Sequence, residues 1–133
     1  MTTTKNVQPM PPKILVVDDE ALVRNMVCDG LAAAGHPVLT ASSGEEALQV
    51  VEAERPACIL LDIMMPELDG YDTCAALKSD PKTASIPVLL VSATTNPQVM
   101  DLAKKAGAVT VLRKPVRMDE LRRTISRVLR ISA

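Results

Sequence analysis

Carboxylates, a hydroxyl and an amine in this 133-residue chain follow short apolar runs. Ile14 to Val17 leads into Asp18, Asp19 and Glu20, Ile59 to Leu61 into Asp62, Val88 to Val91 into Ser92, and Val109 to Leu112 into Arg113 and Lys114. If these runs are parallel strands, their ends share one edge of a sheet, which is where open α/β sheets bind ligands. Carboxylates brought within a few Å of one another repel, and a hard divalent cation with oxygen ligands, Mg²⁺ or Mn²⁺, relieves the repulsion. A lysine and a hydroxyl beside such a cluster supply the positive charge and the donors that phosphoryl transfer needs. An aspartate can itself be the nucleophile and form an aspartyl phosphate. Taken singly, the same residues have plainer readings: Asp18 or Asp19 as a helix cap, Ser92 as a turn residue, Lys114 as an exposed charge. Their coincidence at four of five strand ends favours a phosphate and metal site.

The elements that must hold these groups follow from periodicity. The four runs above and Val38 to Ala41 are of strand length, and most are continuously apolar, as strands covered on both faces are. Between them lie helical segments. Glu20 to Ala34 places Val23, Met26, Val27, Leu31 and Ala34 on one stripe, with Gly35 ending the helix. Ser43 starts a second helix that stops before Pro56. Tyr71 falls on a third, as half-buried packing. Asn96 and Pro97 open a fourth that closes near Gly107. Met118, Leu121, Ile125 and Val128 mark the core side of a fifth, which also carries Arg122, Arg123, Arg127 and Arg130. Five strand–helix repeats with right-handed crossovers make an α/β fold. Residues 1–12, proline-bearing and extended, read as a flexible arm, and 13–133 as one domain.

Composition narrows the function. With 47% hydrophobic and 23% charged residues the chain has material for a core, and no apolar stretch approaches the roughly 20 residues of a membrane span. No signal-like apolar segment opens the chain, so a cytoplasmic location is expected. The net charge of -1 argues against a broad nucleic-acid footprint, although the chain from Arg113 onward carries seven basic and two acidic residues, leaving -6 on the first 112. One Tyr and no Trp or Phe leave no platform for stacking bases. Cys28, Cys58 and Cys74 lack metal or disulfide spacing and read as reduced and mostly buried. His36 has no His or Cys partner at ligand spacing. The seven methionines read as core filler. The arginines of the last helix read either as cations at a helix end or as a dock for an acidic partner.

Val16-Val17-Asp18-Asp19-Glu20, Leu61-Asp62-Ile63-Met64-Met65-Pro66 with Asp69-Gly70, Val91-Ser92-Ala93 and Lys114-Pro115 together resemble the receiver domain of bacterial two-component response regulators. The likeness runs from Lys13 to about Arg130 and is nearest to the stand-alone, chemotaxis-regulator type. It implies a flavodoxin-like sheet of five parallel strands in order 2-1-3-4-5 with helices on both faces. It implies that Asp62 accepts a phosphoryl group from a histidine of a sensor kinase or phosphotransfer protein. Mg²⁺, or Mn²⁺ in its place, is then held by Asp18, Asp19, Asp62 and the backbone carbonyl of Met64. Lys114, Ser92 and the backbone N–H of Ala93 bind the phosphoryl group, and the Lys114-Pro115 bond is cis.

The chain departs from that pattern at Val111 and Val116, where receivers commonly carry aromatics. Output is accordingly expected through backbone movement in Ala93 to Pro97 and the helix that follows, with Met64 and Thr94 tuning water access to the phosphate. The chain ends at Ala133, just after the last helix. This fits a stand-alone receiver or the N-terminal receiver of a longer protein, signalling by contact with a protein target, with homodimerisation through helices four and five, and without direct nucleic-acid or membrane contact. The only catalysis expected is of its own phosphorylation and dephosphorylation. Two other classes are weaker. A Mg²⁺-dependent phosphohydrolase with an aspartate nucleophile wants a second aspartate where Met64 stands, and a non-phosphorylated scaffold has no need of Asp18, Asp19, Asp62, Ser92 and Lys114. A nucleotide-binding flavodoxin type lacks a Gly-rich loop after the first strand.

Overall fold

The structure, a computed structural model, describes residues 11–132. Most of the expected N-terminal arm therefore lies outside the described residues. Strands and helices alternate throughout: β1 (Ile14–Val17), α1 (Ala21–Ala33), β2 (Val38–Ala41), α2 (Gly44–Glu54), β3 (Cys58–Asp62), α3 (Gly70–Ser79), β4 (Val88–Ser92), α4 (Pro97–Ala106), β5 (Thr110–Arg113) and α5 (Met118–Ser132). The strands form one parallel sheet in the order β2-β1-β3-β4-β5.

The apolar runs are continuous because the pleat sends alternate residues into two cores. Leu15, Val17, Ile59, Leu61, Val88 and Leu90 pack on one side with Ala47 and Val51 of α2, Cys74 and Leu77 of α3 and Ala103 of α4. Ile14, Val16, Leu60, Leu89, Val91 and Leu112 pack on the other with Val27 and Leu31 of α1 and Leu121, Ile125 and Val128 of α5. All three cysteines are free, with Cys58 and Cys74 buried and Cys28 partly so.

Local chemistry sets the helix ends. Ser43 accepts the Glu46 N–H at 3.1 Å while Glu46 Oε1 accepts the Ser42 N–H, a reciprocal cap that starts α2. Asn96 accepts the Val99 N–H at 2.9 Å, with Pro97 behind it in the first helical position. Helix α1 closes through His36 N–H to Leu31 O and Gly35 N–H to Ala32 O, a pairing that puts Gly35 at φ 93°, where a side chain is strained.

Some expectations shift. Met26 lies about one residue step, roughly 100°, off the Val27–Leu31 line and is 65% exposed, and Ala34 sits past the helix end in solvent. Met64 and Met100 are exposed too, so the methionines are not uniformly core filler; Met65 is buried. Val109 is exposed and lies just before β5: its N–H bonds to Val88 O, but the paired register of the strand begins at Thr110.

Candidate functional site

The parallel register delivers the polar strand ends to one edge. Val17 is level with both Ala41 and Leu61, Asp62 with Val91, and Ser92 with Arg113. Asp62 and Ser92 are the last residues of β3 and β4, not the first residues beyond them, and both are buried. Asp18 is buried as well, whereas Asp19 is exposed. One oxygen from each of Asp18, Asp19 and Asp62 lies within 4.8 Å of the others.

Lys114 reaches into this group from the end of β5. Its Nζ is 3.2 Å from Asp62 Oδ1 and 3.7 Å from Asp18 Oδ2. Its backbone N–H donates to Ser92 O at 2.8 Å, which ties the lysine to the end of β4, and the peptide bond to Pro115 is cis. Neither Asp18 nor Asp19 caps α1, whose N-cap is Glu20 with no side-chain cap; Asp18 Oδ1 instead accepts the Glu20 N–H at 2.9 Å, a turn that leads the chain into the helix. The Ser92 Oγ accepts the Thr94 N–H at 3.2 Å, and Ala93 and Thr94 are exposed beside it.

Electrostatics are uneven across the site. Burial, then the Asp18 carboxylate, push the Asp62 carboxyl above its ordinary range, against the hydrogen bond and charge of Lys114 and a hydrogen bond from the Met64 backbone. Burial opposes the Lys114 ammonium, but Asp62, Asp18 and Glu20 outweigh it and hold the lysine above its usual value. Three carboxylates face one ammonium. The donors are all hard oxygens at close range, which suits a small divalent cation and not a soft or imidazole-seeking metal.

Two further residues build the site without having been singled out from the sequence for what they do. Gly70, the N-terminal residue of α3, lies against the backbone at the end of β3: a Cβ there would stand 2.5 Å from Asp62 O and 2.6 Å from Ile63 Cα. Its N–H donates to Ile63 O at 2.9 Å. The Asp69-Gly70 pair therefore caps α3, through Asp69 accepting the Asp72 N–H, and lets that helix approach β3. Arg24 donates from Nη1 to Asp18 O at 2.7 Å and fixes the β1–α1 turn. Only the presence of an arginine one turn into α1 could have signalled it.

The remaining expected residues fall around this centre. Met64 follows β3 with its side chain 75% exposed. Val111 is buried in the core and Val116 is packed against α1 and α5, so neither presents an aromatic to the site. His36 and Tyr71 lie outside it, Tyr71 half-buried against the core as expected. Among the described residues no helix is long and apolar enough to cross a membrane.

Comparison with known proteins is consistent with this geometry. Residues 14–126 match the response regulator receiver domain family. The probable transcriptional regulator ycf27 of Pyropia yezoensis is 41% identical over 118 residues, 89% of this chain and 47% of the relative. The alkaline phosphatase synthesis transcriptional regulatory protein PhoP of Bacillus subtilis is 37% identical over 123 residues, 92% of this chain and 50% of the relative. This chain thus spans about half the length of these curated relatives. Among solved structures, chemotaxis protein CheY4 of Vibrio cholerae superposes with a TM-score of 0.86 at 33% identity, covering 90% of this chain and 99% of that one.

Proposed function

This chain belongs to the response regulator receiver domain family of two-component signalling, and on that footing we propose that Asp62 is its phosphoacceptor. The observation that carries the assignment is the Lys114 ammonium set between the buried Asp62 and Asp18 carboxylates at a common sheet edge. A phosphohistidine of a sensor kinase or phosphotransfer protein is the donor. An Asp62 carboxylate oxygen attacks phosphorus, the P–N bond to the donor imidazole breaks, and that nitrogen leaves with the bonding electrons. Lys114 lies where it can pass from the Asp62 carboxylate to the new phosphoryl oxygens. Ser92 Oγ and the Ala93 N–H supply the neighbouring donors.

Asp18, Asp19 and Asp62, with the Met64 carbonyl, form the ligand set for Mg²⁺, or Mn²⁺. When bound, the cation neutralises phosphoryl charge that Lys114 alone cannot. The unit runs from Lys13 onward, with residues 1–12 as a lead-in arm. It acts as a cytoplasmic switch that catalyses only its own phosphorylation and dephosphorylation. Its output goes to a protein target and not directly to nucleic acid, with α4 and α5 as the face for a second copy.

Intact-mass measurement after incubation with acetyl phosphate and Mg²⁺ tests the reading. A single hydroxylamine-labile phosphate on the wild type, absent from Asp62→Asn and absent without Mg²⁺, supports it. A stable phosphate that survives in Asp62→Asn overturns it.

A further inference from the structure

A second concentration of charge lies far along the chain from the acidic residues, on α5. We propose that the outer face of α5 is a docking surface for an acidic segment of a partner protein, held by Arg122, Arg123, Arg127 and Arg130. This does not depend on Asp62 being phosphorylated.

Leu121, Thr124, Ile125 and Val128 are buried, which turns the opposite side of the helix to solvent. On that side Arg123, Arg127 and Arg130 follow at spacings of four and three, a straight row about 10 Å long at a helical rise of roughly 1.5 Å per residue. Arg122 and Ser126 stand beside the row, and all five residues are exposed on this one face of the helix. Asp119 is shared between Arg123 and Arg117, each at 3.6 Å. Among the described residues no carboxylate lies within 4.0 Å of Arg122, Arg127 or Arg130.

Helix electrostatics explain only part of this. A cation near the last turn, such as Arg130, is favoured by the helix dipole, but Arg122 and Arg123 sit in the second turn of a 15-residue helix, where that effect has faded. Arg123 and Arg127, one turn apart, repel. A row of carboxylates reverses that repulsion, and each planar guanidinium can take a carboxylate through two parallel N–H bonds.

Other polyanions fit less well. The whole chain carries -1, which gives no broad basic footprint for a duplex, and one Tyr without Trp or Phe leaves no stacking platform for single strands. The apolar side of α5 is buried in the core, which leaves no amphipathic face for a lipid surface.

The test uses the full chain and a fluorescein-labelled peptide with glutamates at every third and fourth position, followed by anisotropy at low and high salt. The comparison proteins are the triple variants Arg122→Gln/Arg127→Gln/Arg130→Gln and Arg122→Lys/Arg127→Lys/Arg130→Lys, with circular dichroism and Mg²⁺-dependent phosphorylation as checks on folding. The wild type binds the peptide, added salt weakens the complex, the glutamine variant binds roughly tenfold more weakly, and the lysine variant falls between. Three results overturn the proposal: no binding by the wild type at low salt, equal binding by the glutamine variant, or displacement of the peptide by random duplex DNA at lower concentration than by unlabelled peptide.

Discussion

The Nζ of Lys114 lies 3.2 Å from Oδ1 of Asp62, and this one contact joins the end of β5 to the end of β3 across the intervening β4. The lysine is also 3.7 Å from Asp18, so one ammonium compensates two buried carboxylates that lie close together.

Removing that ammonium has a structural cost. Lys114→Ala leaves Asp18 and Asp62 uncompensated and, because the lysine is partly exposed, lowers unfolding free energy by about 1–3 kcal/mol in metal-free buffer, between the values for exposed and buried ion pairs. Mg²⁺ stabilises both proteins by mass action, about 1.4 kcal/mol at ten times the dissociation constant, and Asp19→Asn and Asp62→Asn diminish the gain. Urea denaturation with MgCl₂ or EDTA reads both effects. Mg²⁺ that leaves the wild-type midpoint unchanged contradicts the ligand set.

Gly70 is required by space rather than by backbone angle. Gly70→Ala drives a methyl into Asp62 O and Ile63 Cα and costs about 2 kcal/mol or more, with slower phosphorylation because the end of β3 must move. At Gly35 a Cβ meets nothing within 4 Å but the residue sits at φ 93°, so Gly35→Ala costs only about 1 kcal/mol and leaves phosphorylation alone. Equal phosphorylation rates in the two variants would count against the role given to Gly70.

Burial pushes the Cys58 thiol up to about 12 from an ordinary 9.0. The folded state keeps this proton while the unfolded chain loses it, so the contribution to stability is intact below pH 9 and declines from there toward pH 12. The fall has a slope of up to about 1.4 kcal/mol per pH unit for this group. Cys58→Ala flattens that part of the stability curve. In the native protein at pH 8, iodoacetamide labels the partly exposed Cys28 before Cys58 or Cys74. Mass mapping that finds Cys58 modified first would contradict the burial argument.

The hydrogen bond from the Thr94 N–H to Ser92 Oγ is a local reporter. If Ser92 turns to the phosphoryl group, that bond is lost, and amide shifts from Ala93 to Asn96 change on phosphorylation without any aromatic at Val111. Unmoved Ala93 and Thr94 amides in a ¹⁵N correlation spectrum of the phosphorylated protein would rule out this route of output.

The sheet was legible because burial on both faces leaves continuous apolar runs, and a polar residue after each run marks the edge where a site can form. Where runs stop was less clear: Asp62 and Ser92 remain inside β3 and β4, since Ile63 N–H still bonds to Val91 O and Ser92 still pairs with Arg113. Sequence spacing grouped Asp18, Asp19, Asp62 and Lys114 but could not rank Asp18 as buried and Asp19 as exposed, which depends on how the chain turns into α1. Arg24 and the contact role of Gly70 were invisible for the same reason, because each acts on backbone brought near by the fold. Met26 misled because helical period alone places it within a residue step of the core line.

The central claim is that Asp62 carries the phosphoryl group, and the most direct measurement is chemical trapping. The protein is phosphorylated with acetyl phosphate and Mg²⁺, reduced with borohydride, which converts an aspartyl phosphate to homoserine, and sequenced by peptide mass spectrometry. Homoserine at position 62, with Asp18 and Asp19 unchanged, is the result predicted. Homoserine at another aspartate with Asp62 intact would contradict the account.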